Sequence, residues 1–133
     1  MTAGGNRPHH NEHAVERMLK SEQIYRLIVE HANDAIVIIQ DERICFANAM
    51  AVKVGGYCRE ELFQISIEQL ICPEDRQDTL LMCNRMIRKE TLLSPHAFRL
   101  IDKAGTIFWM QANPVRIELE GNPALLILAR DIS

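Results

Sequence analysis

The sequence predicts an α+β domain: an antiparallel sheet with short helices and one longer helix on one face, preceded by a flanking helix. Three observations carry this. The last third, from Phe98 to Ser133, reads as three consecutive antiparallel strands broken at Asp102-Lys103-Ala104-Gly105 and at Glu120-Gly121-Asn122-Pro123, where Gly tolerates positive φ and Pro interrupts pairing. Upstream, Ala35–Gln40 and Arg43–Ala47 are apolar runs separated by Asp41-Glu42, the pattern of a hairpin. Between these two groups, Asn48 to Glu90 carries helix signals.

The chain has 133 residues, enough for one core plus a tail, and its 47% hydrophobic and 25% charged content is ordinary for a globular protein. A net charge of −3 argues against a nucleic-acid partner, because such affinity needs a basic surface. The longest apolar runs, Ala35–Ile39 and Ala124–Ala129, are too short to span a bilayer, and Met1 to Lys20 lacks the apolar core of a signal peptide. A cytoplasmic location with reduced thiols is therefore expected. Cys45, Cys58, Cys72 and Cys83 are scattered without a CxxC pair, so neither a disulfide frame nor a metal site is predicted. His9, His10 and His13 fall in a polar leader.

Residues 1–11 are expected to be a disordered leader, residues 12–31 an amphipathic helix, and residues 32–133 the domain proper. Val15, Met18, Leu19, Tyr25, Ile28 and Val29 recur at three- and four-residue spacings; Ser21 is a possible N-cap, so one long helix or two short ones fit equally. Asn33-Asp34 ends this segment, with Asp34 organising the turn into the first strand. Asn48 is placed to cap a short helix over Asn48–Val54, and a second short helix is expected over Arg59–Phe63 beyond Gly55-Gly56. Ile67–Ile71 makes one further turn. Pro73 then suits a first helical position and Glu74-Asp75 suit the helix dipole, opening a long helix to about Glu90 with Leu80, Cys83, Met86 and Ile87 on one face and Leu81 off it. Ile36–Ile39 and Leu125–Leu128 do not alternate, so both faces of those strands should be covered: one by the helices, the other by the N-terminal helix, a second subunit, or both.

The segments Tyr25–Ile39, Ile44–Ala49 and Gly55–Leu62, followed by Cys72-Pro-Glu-Asp-Arg76, the Gly105 hairpin with Trp109, and the closing Asp131-Ile132-Ser133, resemble the PAS domain family in order and spacing from about Ser21 to the end. The resemblance implies a five-stranded antiparallel sheet with helices on one face, a pocket between the two layers, and a sensory or signal-relay role of bacterial type. Such domains sit in histidine kinases, diguanylate cyclases or phosphodiesterases and transmit through terminal helices. Asp131-Ile132-Ser133 resembles the family's exit motif, where a signalling helix begins, so the chain is expected to be a piece of a longer protein with a covalently linked effector.

Departures from family subtypes matter as much. The oxygen-sensing haem type places a His on the long helix, and Arg76–Glu90 contains none; His96 is a lone His at a strand start. The flavin photosensor type carries an Asn-Cys-Arg-Phe-like segment where this chain has Gln64-Ile-Ser-Ile-Glu-Gln-Leu70, and Cys72 lies outside that position. Haem and flavin are therefore not expected. The carboxylates Glu61, Glu74 and Asp75 sit at helix starts, no Gly-rich phosphate loop exists, and no nucleophile has a base partner in the sequence, so no catalytic residue is assigned.

If a pocket exists, its walls should come from Ile67, Leu70, Leu80, Cys83 and Ile87 on the helices and from Ile38, Trp109, Gln111 and Leu126 on the strands, with Gln111 or Asn113 as a polar group; which strand face points inward is open. The plainer alternative is that these residues fill a small core. Three functions follow in order. The first is a relay module that dimerises through Val15, Met18, Leu19, Tyr25, Ile28 and Val29. The second is a sensor of a small, mainly apolar ligand. The third, an enzyme, would need two pKa-perturbed groups facing a cleft.

Overall fold

The computed structural model describes residues 25, 26, 28, 30–90 and 95–133. The leader and most of the expected N-terminal helix, including Val15, Met18, Leu19 and Val29, lie outside the described residues.

Strands β1 (Ala35–Gln40) and β2 (Arg43–Ala47) form the expected hairpin. Its two turn residues, Asp41 and Glu42, take left-handed φ values of 55° and 64°, the pair of conformations that matches the twist of a two-residue hairpin loop. Three helical pieces follow: α1 (Ala49–Gly55), α2 (Arg59–Gln64) and a 3₁₀ turn (Ile67–Leu70). Helix α3 (Pro73–Ile87) is next, and β3 (His96–Ile101), β4 (Ile107–Leu119) and β5 (Asn122–Asp131) complete the domain.

The five strands form one sheet in the order β2-β1-β5-β4-β3, every neighbouring pair antiparallel. That order decides where the helices lie. The chain leaves β2 at one edge and must reach β3 at the other, so α1, α2 and α3 cross one face between them. β1 and β5 pair at the centre, Ile36 opposite Leu128 and Ile38 opposite Leu126. Pro114 is tolerated inside the long β4 because the β3 partnership ends at His96 opposite Ala112; on that side its missing N–H faces no strand among the described residues.

Asn48 ties helix to sheet. Its Oδ1 accepts from the Ala51 N–H at 2.9 Å as an N-cap and from the Ile36 N–H at 3.0 Å, while Nδ2 donates to the Asp34 carbonyl at 3.0 Å. At the far end of α1, Gly56 has φ 76°, and the Gly55 carbonyl accepts from the Lys103 N–H at 2.9 Å. Lys103 Nζ also reaches Glu61 Oε2 at 2.8 Å, fastening α2 to the β3–β4 turn.

Helix α3 is shorter than the sequence predicts. It ends at Ile87, with Arg88 as C-cap and Lys89 at φ 67°, so the expected continuation to Glu90 is a turn. Its most buried residues are Thr79 and Met82, not the Leu80–Ile87 stripe expected from the apolar pattern, which lies partly buried to one side.

Both sheet faces are covered at the centre. The face away from the helices buries Ile36, Ile38, Leu126, Leu128, Ile117 and Leu119, with Ile28 packed on it. The helix face gathers Ala112, Leu125 and Ile127, with Val37, Ile39, Phe98 and Met86 around them. Burying such side chains contributes about 1.5–3 kcal/mol each.

Candidate functional site

A cavity of about 100 Å³ lies between the helix face of the sheet and α1, α2, the 3₁₀ turn and α3. It exists because small residues occupy positions where the layers would otherwise meet: Ala35 on β1, Ala51 and Gly55 on α1, Ala112 on β4 and Ala129 on β5. Larger apolar side chains form its perimeter, among them Ile44, Leu62, Phe98 and Leu100. Three sulfur atoms belong to the lining residues Met82, Cys83 and Met110.

Among the described residues Thr79 brings the one hydroxyl to this wall, and it is engaged: Oγ1 lies 3.0 Å from His96 Nε2. Burial pushes the His96 pKa below its ordinary value, against the opposing charges of Asp78 and Asp75, so the ring stays neutral. Burial raises the Cys83 thiol to about 11, with the Glu42 charge adding to the effect, so it is protonated at neutral pH. Among the described residues, no carboxylate, guanidinium or ammonium group lines the cavity.

Of the sequence-predicted pocket residues, Ile67, Leu70 and Cys83 line this cavity. Leu80 and Ile87 pack in the neighbouring helix-side clusters without reaching it. The four strand residues are corrected together. Ile38 and Leu126 are paired on the face away from the helices. Asn113 lies opposite Leu128 on that same face, and alternation puts Gln111 and Trp109 there too, while their neighbours Met110 and Ala112 face the cavity. The set is internally consistent but inverted, the expected result of a phase error of one residue. Trp109, expected as a large anchor, is 45% exposed. The missed lining residues Val37, Ile39, Met110, Ala112, Ile127 and Ala129 share a readable signal: alanines interleave with large apolar residues on one strand phase.

A second feature lies at the C-terminal end of the sheet. The Ile132 N–H donates to the Trp109 carbonyl at 2.9 Å, and the Trp109 N–H donates to Ser133 Oγ at 2.9 Å. The Ser133 N–H donates to Asp131 Oδ1 at 2.8 Å, closing the exit peptide on itself. Asp131-Ile132-Ser133 is thus clipped to β4 beside two cavity-lining residues, Met110 and Ala112. Arg99, opposite Trp109 on β3, sets its guanidinium carbon 5.1 Å from the Trp109 ring centre and pairs with Asp75 in the first turn of α3.

Of the expected dimer residues, Tyr25 is 60% exposed and Ile28 is half-buried against the outer sheet face. Among the described residues no cluster of His, Cys, Asp or Glu is placed to hold a metal, and no helix is long and apolar enough to cross a membrane.

The family model for the PAS domain matches residues 33–133. No curated protein matches the chain. Among solved structures, a PAS domain from Desulfitobacterium hafniense superposes with a TM-score of 0.68 at 21% identity, covering 80% of this chain and 99% of that one. A PAS domain from a two-component sensor histidine kinase gives 0.60 at 16% identity, with 82% and 94% covered. A structure from a study of light-oxygen-voltage domain mechanism with a flavin analogue gives 0.68 at 22% identity, with 85% and 87% covered. At these identities the likeness is one of fold.

Proposed function

The chain belongs to the PAS domain family, and on that premise we propose that it senses or receives a signal at the cavity and relays it through the exit peptide to an effector domain in a larger signalling protein. A histidine kinase is the effector that one structural neighbour suggests; a diguanylate cyclase or similar domain would be driven the same way. The observation carrying the reading is the attachment of Ile132 and Ser133 to the backbone of Trp109, next to residues that form the cavity wall. A change in the spacing of α3 from the sheet has a short route to the chain terminus, through Asp75, Arg99 and Trp109.

The module acts without catalysis of its own in this reading. Its perturbed groups are ion pairs, buried protonated thiols and His96, whose Nε2 meets the Thr79 hydroxyl, and among the described residues only Cys83 of this set lines the cavity, so no pair of perturbed groups faces it. Homodimerisation through the N-terminal segment, with Tyr25 and Ile28 at its described end, and a cytoplasmic setting complete the proposal.

Flavin enters through the light-oxygen-voltage neighbour, but the lining does not fit it. A flavin ring edge carries carbonyl and imide groups that need hydrogen-bonding side chains, whereas this cavity offers a hydroxyl already engaged by His96 and a protonated thiol. At about 100 Å³ the space is also smaller than a tricyclic ring system or a porphyrin requires.

The test fills the cavity. Ala112→Leu should change hydrogen exchange at the Ile132 amide, which follows β5 and donates to the Trp109 carbonyl of β4. Unchanged exchange at Ile132 in a folded Ala112→Leu protein would refute the relay.

A further inference from the structure

We infer that the cavity takes a compact, uncharged aromatic molecule of about benzene's size, an inference that rests on the proposed sensory reading in treating the cavity as the receptor. Volume sets the scale. Apolar cavities of about 150 Å³ remain dry and accept benzene, and the space here is about 100 Å³ before its walls adjust. A guest of roughly six to eight non-hydrogen atoms is the match.

Charge is excluded by the lining. A carboxylate, phosphate or ammonium would enter without a counter-charge and without free donors, since among the described residues no charged side chain lines the cavity. Polar neutral guests fare little better. Thr79 Oγ1 is held by His96 at 3.0 Å, and among the described residues no buried side-chain nitrogen or oxygen lacks a hydrogen-bond partner. Water needs two to four polar partners and finds few here, so an apolar guest displaces little.

Aromatic character follows from the wall atoms. Phe98 offers a ring, and Met82, Cys83 and Met110 offer polarizable sulfur, which favours contact with aromatic edges. A flexible aliphatic chain would lose more rotational freedom for the same buried area.

The probe is fluorobenzene, followed by fluorine NMR and by the melting temperature of the full chain in sealed cells, beside benzoate, hexanoate and riboflavin. Fluorobenzene should bind saturably and raise the melting temperature with concentration, at least tenfold more tightly than each of the others. Ala112→Leu should abolish this. Gly55→Ala is the gentler variant: its new Cβ would meet Leu62 Cδ2 at 3.8 Å and Tyr57 Cδ2 at 3.9 Å, ordinary contacts, so the fold is kept while the cavity shrinks and affinity drops several-fold.

No saturable fluorobenzene signal, or equal binding of benzoate, hexanoate or riboflavin, overturns the inference. Exchange at the Ile132 amide separates this from the sensory reading. Failure of fluorobenzene while Ala112→Leu still alters Ile132 exchange removes the ligand class alone; fluorobenzene binding without effect on Ile132 upholds the class and removes the relay.

Discussion

Arg99 holds Asp75 at both carboxylate oxygens: Nε donates to Oδ2 at 2.9 Å and Nη2 to Oδ1 at 2.8 Å, while the Arg99 backbone N–H donates to Oδ2 at 2.8 Å. The Cys72 N–H returns a bond to the Arg99 carbonyl at 2.9 Å. The first turn of α3 is therefore fastened to the edge strand by main chain and side chain together, and the Arg99 guanidinium also lies against Trp109.

Arg99→Met should keep the chain's apolar stem but free Asp75 and the Trp109 ring. The expected outcome is a lower melting temperature and faster exchange at Ile132, with β3 still paired. Lys at this position should restore stability only in part, because an ammonium cannot form the two-point contact. Exchange at Ile132 indistinguishable from the parent would show that the Asp75 contact is local scaffolding and no part of the route to the exit.

Acid should weaken the fold in two stages. His96 has a folded pKa below its ordinary 6.5, so the unfolded chain binds more protons as pH falls past that value, and stability declines from there toward the folded pKa. Asp75 and Glu61 are held low by Arg99 and Lys103, Glu61 at about 2, so their contributions are present above the ordinary carboxylate range and are lost only in stronger acid. Melting curves between pH 7 and 3 should show the upper stage vanish in His96→Gln and the lower one persist. A His96→Gln curve parallel to the parent's above pH 5 would contradict the first assignment.

Asn48→Ala should cost about 1–2 kcal/mol for the lost cap, and more if the Ile36 N–H is left without a partner. Asn48→Asp separates the roles. It retains the oxygen that caps α1 and accepts from Ile36, and it loses the Nδ2 donor to the Asp34 carbonyl. Denaturant titration should therefore place Asn48→Asp between the parent and Asn48→Ala.

Local chemistry was legible where one residue settles one conformation. Asp41-Glu42 marked the hairpin, Asn48 the cap, and Pro73 with Glu74-Asp75 the start of α3, and each is where the sequence pointed. The strand phase was not legible from hydrophobicity alone, without the alanine spacing. Ile36–Ile39 and Leu125–Leu128 are apolar on both faces, so hydrophobicity alone does not say which residues meet the helices. The α3 stripe was rotated for a related reason: Thr79 is polar yet buried because its hydroxyl has His96, a partner that only the folded sheet brings near.

Ile38→Ala and Trp109→Ala should rank opposite to their sizes. Ile38 is fully buried, so truncation should cost about 2–5 kcal/mol, whereas a fully buried aromatic would lose about 3–5. Trp109, at 45% exposure, should cost about 1–2 kcal/mol, below that buried range. Chemical denaturation of both variants checks the order; a larger loss at Trp109 would mean that its outer face is covered in solution, as in a dimer.

The cysteines should report on the cavity directly. Cys58 is exposed, whereas Cys83 lines the cavity with its thiol raised to about 11 by burial. At pH 8 only about one part in a thousand of Cys83 would be thiolate, the reactive form, so iodoacetamide should modify Cys58 first and Cys83 far more slowly. Raising the pH toward 10 should accelerate Cys83 in step with its thiolate fraction. A guest in the cavity should slow it again at constant pH, because the alkylating agent and the guest need the same space. Peptide mass mapping distinguishes the two thiols, and modification of Cys83 at the rate of Cys58, unaffected by fluorobenzene, would mean that the cavity opens freely to solvent and holds no guest.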